Sequence, residues 1–401
     1  MKVRHLLWVL LFLTAATFLL LSLLPWLPPL TYDMWKFRLV SAEWGSWCLG
    51  LALLVSAVIG LACVRCKSRR LTLALGIMLA SVLLFCLPLC EIWQLAQSLK
   101  VPLSATKFFA GEVGPDKTIK DVVYAGDLTL DVHLPGVSQW DKSLPAVVVI
   151  HGGGWNHGAK SDFYKFDRWL TCNGFAVFDI NYRLAGPQSR FPAQRDDVIA
   201  AVKWVQQHAS EYGADGTKIA LLGRSAGAQL ALLAAYFLAS PAGAHAVAVS
   251  PVRAVVAFYG PTDLIWGYDN VMQPDVINAR FLLENYLGGS PASAEAAYKS
   301  ASPLLSVSKL CAPTLLLHGK RDHLVGFHHT ELLKAALDQS GVPAEVLALP
   351  TADHAFDYNF NGWNSQIEQE VVRRFLSKYL VGNGSDPKRS SAGLEQTEAN
   401  R

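Results

Sequence analysis

The chain has 401 residues, of which 52% are hydrophobic and 17% charged, and its formal net charge is +3. The first 100 residues hold nine Lys or Arg against three Asp or Glu, so they carry +6 and the remaining 301 residues carry −3. The basic balance therefore belongs to the first quarter and gives no sign of a nucleic-acid partner. Five of the seven cysteines also lie there, which excludes a disulfide framework. We interpret the other two, Cys172 and Cys311, as buried thiols beside predicted strands, with a bridge between them as the alternative.

Three mostly apolar runs without Asp, Glu, Lys, Arg or His fill the first quarter, at residues 6–24, 46–64 and 71–90. Each is long enough to cross a bilayer as a helix, which predicts a membrane anchor over residues 1–100. A secretory signal peptide is the alternative for the first run, but no clear small-residue cleavage site follows it. The lack of ionisable side chains within the runs favours anchoring over transport.

The orientation of these predicted helices follows from the basic residues between them. Residues 65–70, between the second and third runs, include four Lys or Arg. Such loops stay in the cytoplasm, so this loop and the basic N-terminus are expected there. Residues 31–45 and everything after Cys90 are then expected on the non-cytoplasmic side. Lys36 and Arg38, within the outer loop, weaken the contrast.

From residue 122 onward, strand-like and helix-like segments alternate, which predicts an α/β domain with a mainly parallel sheet flanked by helices. This domain is expected over residues 122–380, after a linker at 101–121. The predicted strands are a hairpin at 121–134, then 145–150, 175–180, 218–222, 252–258, 313–317 and 344–349. The predicted helices are 161–172, 194–212, 226–239, 328–340 and 364–379. Residues 265–302 break the alternation and predict a small cap, and residues 381–401 are polar enough to predict a disordered tail.

A candidate nucleophile lies between one predicted strand and the next helix. Residues 223–227 read Gly-Arg-Ser-Ala-Gly, after the apolar run 219–222 and before the helix at 226–239. This is the G-x-S-x-G pattern of a nucleophile elbow, in which a serine sits on a strained turn between strand and helix. From the pentapeptide alone, Ser225 as an ordinary helix cap is the alternative.

A glycine-rich loop directly follows the predicted strand that ends at residue 150. Residues 151–155 read His-Gly-Gly-Gly-Trp. Consecutive glycines let backbone N–H groups turn toward a developing oxyanion, and each such donor lowers the barrier by roughly 3–4 kcal/mol. A merely flexible glycine loop is the alternative, but its place directly after a buried strand favours the oxyanion function.

The candidate acid and base follow from topology. In α/β domains of this kind they lie in loops after later strands, in the chain order Ser, Asp or Glu, His. Asp322 follows the strand predicted at 313–317, and His354 follows the strand predicted at 344–349. Asp322 and His354 are therefore the predicted acid and base. Asp353 is a rival carboxylate, although residues adjacent in sequence rarely face one another.

Several histidines near Asp322 form a candidate metal site. His323, His328 and His329 follow it closely, but their spacing matches no common zinc pattern. We interpret them as surface histidines at the start of a helix. The sequence therefore predicts neither a metal ion nor a cofactor.

Together these motifs resemble those of the α/β-hydrolase superfamily, in the esterase and lipase branch. That branch includes hormone-sensitive-lipase-like carboxylesterases, feruloyl or acetyl esterases and prenylcysteine methylesterases. The resemblance covers roughly residues 120–380. It rests on residues 151–155 with Gly158 and Lys160, on 181–184, on 191–194 with Asp197, on 223–227, on 318–322, and on His354 with Phe356.

The resemblance implies a mechanism for these residues. Ser225 would attack an ester carbonyl, His354 would take its proton and return it to the leaving alcohol, and Asp322 would orient the imidazolium. Water would then release the acyl-enzyme. The oxyanion would be bound by three backbone N–H groups, those of Gly153, Gly154 and Ala226.

The predicted protein is thus a membrane-anchored serine carboxylesterase that acts on a small-molecule or lipid ester at the bilayer, outside the cytoplasm. A peptidase or amidase of the same superfamily is one alternative, and a catalytically inactive membrane interaction protein is another. Arg224, Ala228 and Gly326 depart from the common pattern of the branch. They bear on subfamily and substrate rather than on the triad.

Overall fold

The computed structural model of the protein describes residues 2–111, 113–136, 143–241 and 250–382. Beyond residue 382, the predicted disordered tail lies outside the described residues. Within the described ranges, a helical region comes first along the chain and an α/β domain, residues 116–382, comes second.

Five helices occupy the first region of the described chain. They are α1 (Lys2–Leu23), α2 (Tyr32–Glu43), α3 (Gly45–Cys66), α4 (Arg69–Ser98) and α5 (Ala105–Ala110). The helices α1, α3 and α4, here called the helical bundle, match the three predicted runs and are long and apolar enough to cross a bilayer. They pack through a narrow face that includes Ala15, Ala52 and Met78. Between 17% and 28% of each apolar segment is buried, so most of the bundle's apolar surface faces outward.

The helix α2 lies in a stretch that was expected to be a loop. Thr31 caps it, because the Met34 N–H donates to the Thr31 hydroxyl at 3.1 Å. Its buried side chains include two charged ones, Arg38 and Glu43. Charged side chains are rarely buried without partners, so α2 must contact polar groups elsewhere in the fold.

An eight-stranded sheet forms the centre of the α/β domain. The strands are β1 (Asp116–Ala125), β2 (Leu128–Pro135), β3 (Leu144–Ile150), β4 (Ala176–Ile180), β5 (Ala214–Arg224), β6 (Val252–Phe258), β7 (Thr314–Gly319) and β8 (Ala344–Leu349). Their order is β1-β2-β4-β3-β5-β6-β7-β8. Strand β2 pairs antiparallel with both of its neighbours, β1 and β4, and all pairs from β4 to β8 are parallel, so the sheet is mainly parallel, as predicted.

Helices cover both faces of this sheet. They are α6 (Tyr164–Cys172), α7 (Ala193–His208), α8 (Ala226–Ala239), α12 (His328–Gln339) and α13 (Trp363–Leu376). Side chains alternate along the strands, so Val148 joins the core with α7, α8 and α12, while Val147 joins the core with α6 and α13. The end of α4 belongs to that second core through Ile92 and Ala96. The third apolar helix therefore continues past its predicted end at residue 90 into the α/β domain.

The predicted cap contains three short helices. They are α9 (Leu264–Asp269), α10 (Ala279–Leu287) and α11 (Pro291–Ala301). Leu283, Tyr286 and Tyr298 join these helices to the core beneath α8. The cap is therefore packed on the domain.

The two late cysteines differ from each other. Both are free thiols, and Cys311 is buried as expected. Cys172 is exposed at the end of α6, so its predicted burial is wrong. Leu170 and Thr171 of the same turn are buried, so Cys172 lies on the outer side of the helix end.

Candidate active site

Ser225 lies on the sharp turn between β5 and α8. Its backbone has φ of +52° and ψ of −120°, a conformation that non-glycine residues rarely adopt. The turn is held because the Ser225 N–H donates to the Phe258 carbonyl at 2.9 Å. Such strain is typical of a serine projected from the end of a strand.

Two glycines allow this turn to form. A Cβ atom on Gly223 would lie 2.1 Å from the Gly227 carbonyl oxygen. A Cβ atom on Gly227 would lie 2.3 Å from the carbonyl oxygens of Ile150 and His151. The G-x-S-x-G spacing is therefore required by close backbone contacts at both of its glycines.

The structure brings Ser225, His354 and Asp322 together. His354 Nε2 lies 3.0 Å from Ser225 Oγ, and His354 Nδ1 lies 2.7 Å from Asp322 Oδ2. Asp322 follows β7 and His354 follows β8, as the topology predicted. Both contacts have hydrogen-bond length, so the three side chains form a continuous chain.

Asp322 is buried within a dense set of donors. Its Oδ1 accepts the N–H groups of Leu324 and Val325, each at 2.8 Å, and its Oδ2 lies 3.1 Å from His318 Nε2. Burial alone would raise the pKa of Asp322, but His354 and His318 hold that pKa well below its usual range. Asp322 is therefore a carboxylate that can orient the imidazole. His318 belongs to the motif at 318–322, but its contact with Asp322 was not predicted.

A second polar network contacts His354 through the Tyr259 ring. The centroids of the two rings lie 4.4 Å apart. The Tyr259 hydroxyl donates to Asp357 Oδ1 at 2.6 Å, and Arg224 Nε donates to Asp357 Oδ2 at 2.5 Å. The Arg224 guanidinium lies among three aromatic rings, those of Phe163, Phe166 and Phe258. The departure at Arg224 therefore has a structural function beneath the serine turn.

The rival carboxylate Asp353 faces away from the imidazole. Its Oδ1 accepts the N–H groups of His323 and His354, at 2.9 and 2.8 Å. Its Oδ2 lies 3.2 Å from Arg38 Nε, an ion pair that sequence reasoning did not anticipate. Asp322 rather than Asp353 contacts the imidazole of His354.

The glycine-rich loop lies beside the serine. Gly154 and Ala226 border the same cleft as Ser225, and Gly153 has φ of +104°. No hydrogen bond between described residues uses the N–H of Gly153, Gly154 or Ala226. The loop is fixed by Trp155, whose Nε1 donates to Gln229 at 2.9 Å. The loop is thus fixed in place, and these backbone N–H groups remain available to a substrate.

The cleft in front of Ser225 is mainly apolar and has a volume of about 70 Å³. The cap contributes Ile277 and Leu282, and the loop after β7 contributes Leu324. A water molecule needs about 10–15 Å³ of such space, so the cleft accommodates a small group of atoms beside Ser225.

His329 borders this cleft and is buried, so its interpretation as a surface residue is wrong. The N–H of Thr262 donates to His329 Nδ1 at 3.2 Å. Burial lowers the pKa of His329 to about 3, and the imidazole is therefore neutral. His328 is exposed beside Glu331, as expected.

One group in the described residues has the donors of a metal site. His133, Asp167 and Asp179 are buried, and their ligand atoms lie within 4.8 Å of one another. Both Asp167 oxygens and His133 Nε2 lack a hydrogen-bond partner. Burial raises the pKa of Asp167 to about 6 and that of Asp179 well above its usual value. Burial therefore favours the protonated form of these two carboxyl groups.

Comparison with known proteins places the similarity in the α/β domain. The family model described as BD-FAE matches residues 130–337. "Probable carboxylic ester hydrolase LipM" of Mycobacterium tuberculosis is 34% identical over 61% of this chain and 57% of its own length. "Ethyl acetate hydrolase" of Pseudomonas putida is 31% identical over 57% of this chain and 71% of its own length. The chain spans 57–61% of the length of LipM and its relatives LipQ and LipC.

Solved structures agree in fold. A truncated carbohydrate esterase from gut microbiota aligns with a TM-score of 0.52 and 26% identity, over 64% of this chain and 96% of that one. The residues matched by the family model include Ser225, Asp322 and the loop at 151–155, but end before His354.

Proposed function

Because the chain belongs to the BD-FAE family of α/β-hydrolase esterases, we propose that it hydrolyses carboxylic esters through an acyl-enzyme on Ser225. The observation that carries this proposal is the chain of contacts from Ser225 Oγ to His354 to Asp322, at 3.0 and 2.7 Å. A serine hydroxyl is a weak nucleophile at neutral pH and needs a base within hydrogen-bond reach. His354 meets that requirement.

The proposed reaction proceeds in two halves. Ser225 Oγ attacks the ester carbonyl as its proton passes to His354 Nε2, and Asp322 stabilises the imidazolium. His354 then gives that proton to the leaving alcohol oxygen as the C–O bond breaks. In the second half, His354 takes a proton from the water that attacks the acyl carbonyl. It then returns this proton to Ser225 Oγ as the bond from Oγ to the acyl group breaks and the acid leaves. The oxyanion of each half is bound by the unused N–H groups of Gly153, Gly154 and Ala226.

The cleft supports esters with a short acyl chain. Its volume of about 70 Å³ leaves room for a few heavy atoms beside Ser225. Its lining is apolar at Ile277, Leu282 and Leu324, which suits an acyl group rather than a charged one. The name of the Pseudomonas putida relative, an ethyl acetate hydrolase, agrees with this size.

The helical bundle is proposed to anchor the enzyme in a bilayer. Leu54 and Leu61, on the outer face of α3, are 62% and 66% exposed, as lipid-facing side chains would be. At one end of the bundle, Arg70 of the basic loop lies over the Trp8 ring. At the other end, Arg321 of the α/β domain lies 3.9 Å from the Trp26 ring centroid. The basic end is then cytoplasmic and the α/β domain non-cytoplasmic.

The test of the proposed activity uses the full chain purified in detergent. We expect hydrolysis of 4-nitrophenyl acetate to exceed that of long-chain esters, and Ser225→Ala to lower kcat about 10⁴-fold or more. Ser210→Ala, at an exposed serine in the turn after α7, is the matched control and should retain full activity. Undiminished hydrolysis by Ser225→Ala would contradict the proposal, and faster cleavage of matched amides would favour an amidase.

A further inference from the structure

A buried arginine links the region between the first two apolar helices to the catalytic loops. Arg38 of α2 is 6% exposed. Its Nη2 donates to the Arg321 carbonyl at 3.0 Å, and its Nε lies 3.2 Å from Asp353 Oδ2. Arg321 directly precedes Asp322, and Asp353 directly precedes His354. One side chain therefore contacts both loops that carry the proposed acid and base.

Asp353 extends this link to the backbone of the same two loops. Its Oδ1 accepts the N–H of His323, which follows Asp322, and the N–H of His354 itself. The Arg321 N–H also donates to the Ala352 carbonyl at 3.1 Å. The ion pair thus lies at the point where the loop after β7 meets the loop after β8.

The position of Arg38 is fixed by the rest of its helix. At the end of α2, Glu43 Oε1 accepts the Asn364 amide at 2.9 Å, and the Glu43 carbonyl accepts the Asn359 amide at 2.7 Å. Ser46, at the start of α3, accepts the Trp363 indole N–H at 2.7 Å. These bonds fix α2 against the segment that follows His354. The Arg38 side chain is therefore positioned by its own helix as well as by Asp353 and the Arg321 carbonyl.

We propose that Arg38 is a positioning residue for ester hydrolysis, which sets the spacing between the Asp322 loop and the His354 loop. The inference rests on the proposed function, because it concerns the same triad. Arg38 touches neither the substrate nor the triad side chains, and it acts through Asp353 and the Arg321 carbonyl. An error of about 1 Å in the position of a catalytic group can lower the rate about 100-fold. Full activity then depends on α2.

The test compares two basic residues of the same helix in the full-length enzyme in detergent. Arg38→Met removes the buried link, whereas Lys36→Met removes a surface pair with Asp33, in which the Lys36 side chain is 54% exposed. For 4-nitrophenyl acetate we expect Arg38→Met to lower kcat about tenfold to a hundredfold, with KM changed less than about twofold. Lys36→Met should match the wild type. Arg38→Lys keeps the charge and should recover part of kcat.

A second pair of variants keeps the proposal testable if Arg38→Met does not fold. Asp353→Asn breaks the same ion pair from the side of the α/β domain, and its amide oxygen can still accept the two N–H groups. Because both changes break one interaction, Asp353→Asn should lower kcat by a similar factor, and the double variant should lose little more.

The outcomes separate the two proposals. Thermal unfolding and the extent of fluorophosphonate labelling report how much of each variant is folded with a reactive serine. A folded Arg38→Met enzyme with wild-type kcat, a loss confined to KM, or an equal loss in Lys36→Met would overturn the positioning function. If Ser225→Ala remains active, the proposed mechanism itself fails, whatever the Arg38 variants do.

Discussion

The helical bundle and the α/β domain differ most in where their apolar side chains lie. In the bundle, Leu54 and Val64 are 62% and 78% exposed, whereas Val147 and Val148 at the centre of the sheet are fully buried. Removal of apolar surface from water is the main favourable term in folding. The α/β domain obtains that term from its own two cores. Under the proposed anchoring, the bundle obtains it from a surrounding apolar phase, and the two regions lie in different solvents.

The helix α2 crosses this division. It lies between two helices of the bundle in sequence, yet its buried Arg38 and Glu43 contact the α/β domain. A helix with those contacts lies in the same solvent as the α/β domain. Because α2 precedes α3, and the domain follows α4, both lie at the same end of the α3–α4 hairpin, which agrees with the proposed orientation.

The largest expected effect lies within the α/β domain and is chemical. His354→Ala removes the proposed base and should lower kcat about 10⁴-fold, because neither other triad member can accept the serine proton. His328→Ala, at an exposed histidine of α12, is the matched control and should leave kcat unchanged. Rates of aryl ester hydrolysis measure both. Equal activity of the two variants would remove His354 from the mechanism.

A glycine in each region gives the next largest contrast. Gly227→Ala forces a Cβ atom to within 2.3 Å of two carbonyl oxygens, which should destabilise the α/β domain by about 4 kcal/mol. Gly60→Ala in α3 meets nothing within 4 Å and replaces glycine with a better helix former. Thermal unfolding in detergent should therefore show a large loss for the first variant and none for the second. A stable Gly227→Ala protein would contradict the close-packed elbow.

A charge placed on each exposed apolar surface tests the solvent assignment. Leu54→Asp in α3 should oppose membrane insertion by about 3 kcal/mol. Leu310→Asp alters a residue of the α/β domain that is 53% exposed, and it should cost less than about 0.5 kcal/mol. The measurement is the fraction of each chain that stays in membranes after extraction at high pH. If both variants remain equally embedded, the outer face of α3 does not contact lipid.

The smallest expected effect concerns pH and the boundary between the regions. Burial raises the pKa of Glu43 from 4.5 to about 8. The folded state therefore holds a proton that the unfolded state releases above about pH 4.5, and the stability gained from it is lost as pH rises to about 8. Glu43→Gln keeps an oxygen for Asn364 and has no proton to lose.

The Glu43→Gln variant should therefore unfold at a higher temperature than the wild type above pH 8. The advantage should vanish near pH 4. Glu345→Gln, at a side chain that is 46% exposed, provides the control and should show no such trend. A pH-independent difference at Glu43 would mean that its carboxyl group is already ionised in the folded protein.

Much of the α/β domain could be predicted because its local signals are strong. The strands β6 and β8 and the helix α8 have their predicted bounds, since each apolar run ends at turn residues. The places of Asp322 and His354 followed from the rule that catalytic loops lie at the carboxyl ends of parallel strands.

The features that escaped prediction depend on contacts distant in sequence. The helix α2 mixes polar and apolar residues, so nothing local indicated that Arg38 is buried against Asp353. His329 lies at the start of an amphipathic helix and is enclosed by residues distant in sequence, Thr262 and Gly267. In sequence, Arg224 is only a departure from the pattern of the branch, because its partner Asp357 lies 133 residues further along the chain. In each case the partner decides the burial, and no pattern of period two or 3.6 identifies the partner.

The most direct test of the account is the site of covalent labelling by a fluorophosphonate. We predict that the full-length enzyme is labelled once and that the modified peptide carries the adduct on Ser225. Ser225→Ala should carry no adduct there, and His354→Ala should be labelled more slowly than the wild type. Mass spectrometry of the digested protein locates the adduct. A folded wild-type enzyme that hydrolyses esters but carries the adduct elsewhere, or carries none, would contradict the account.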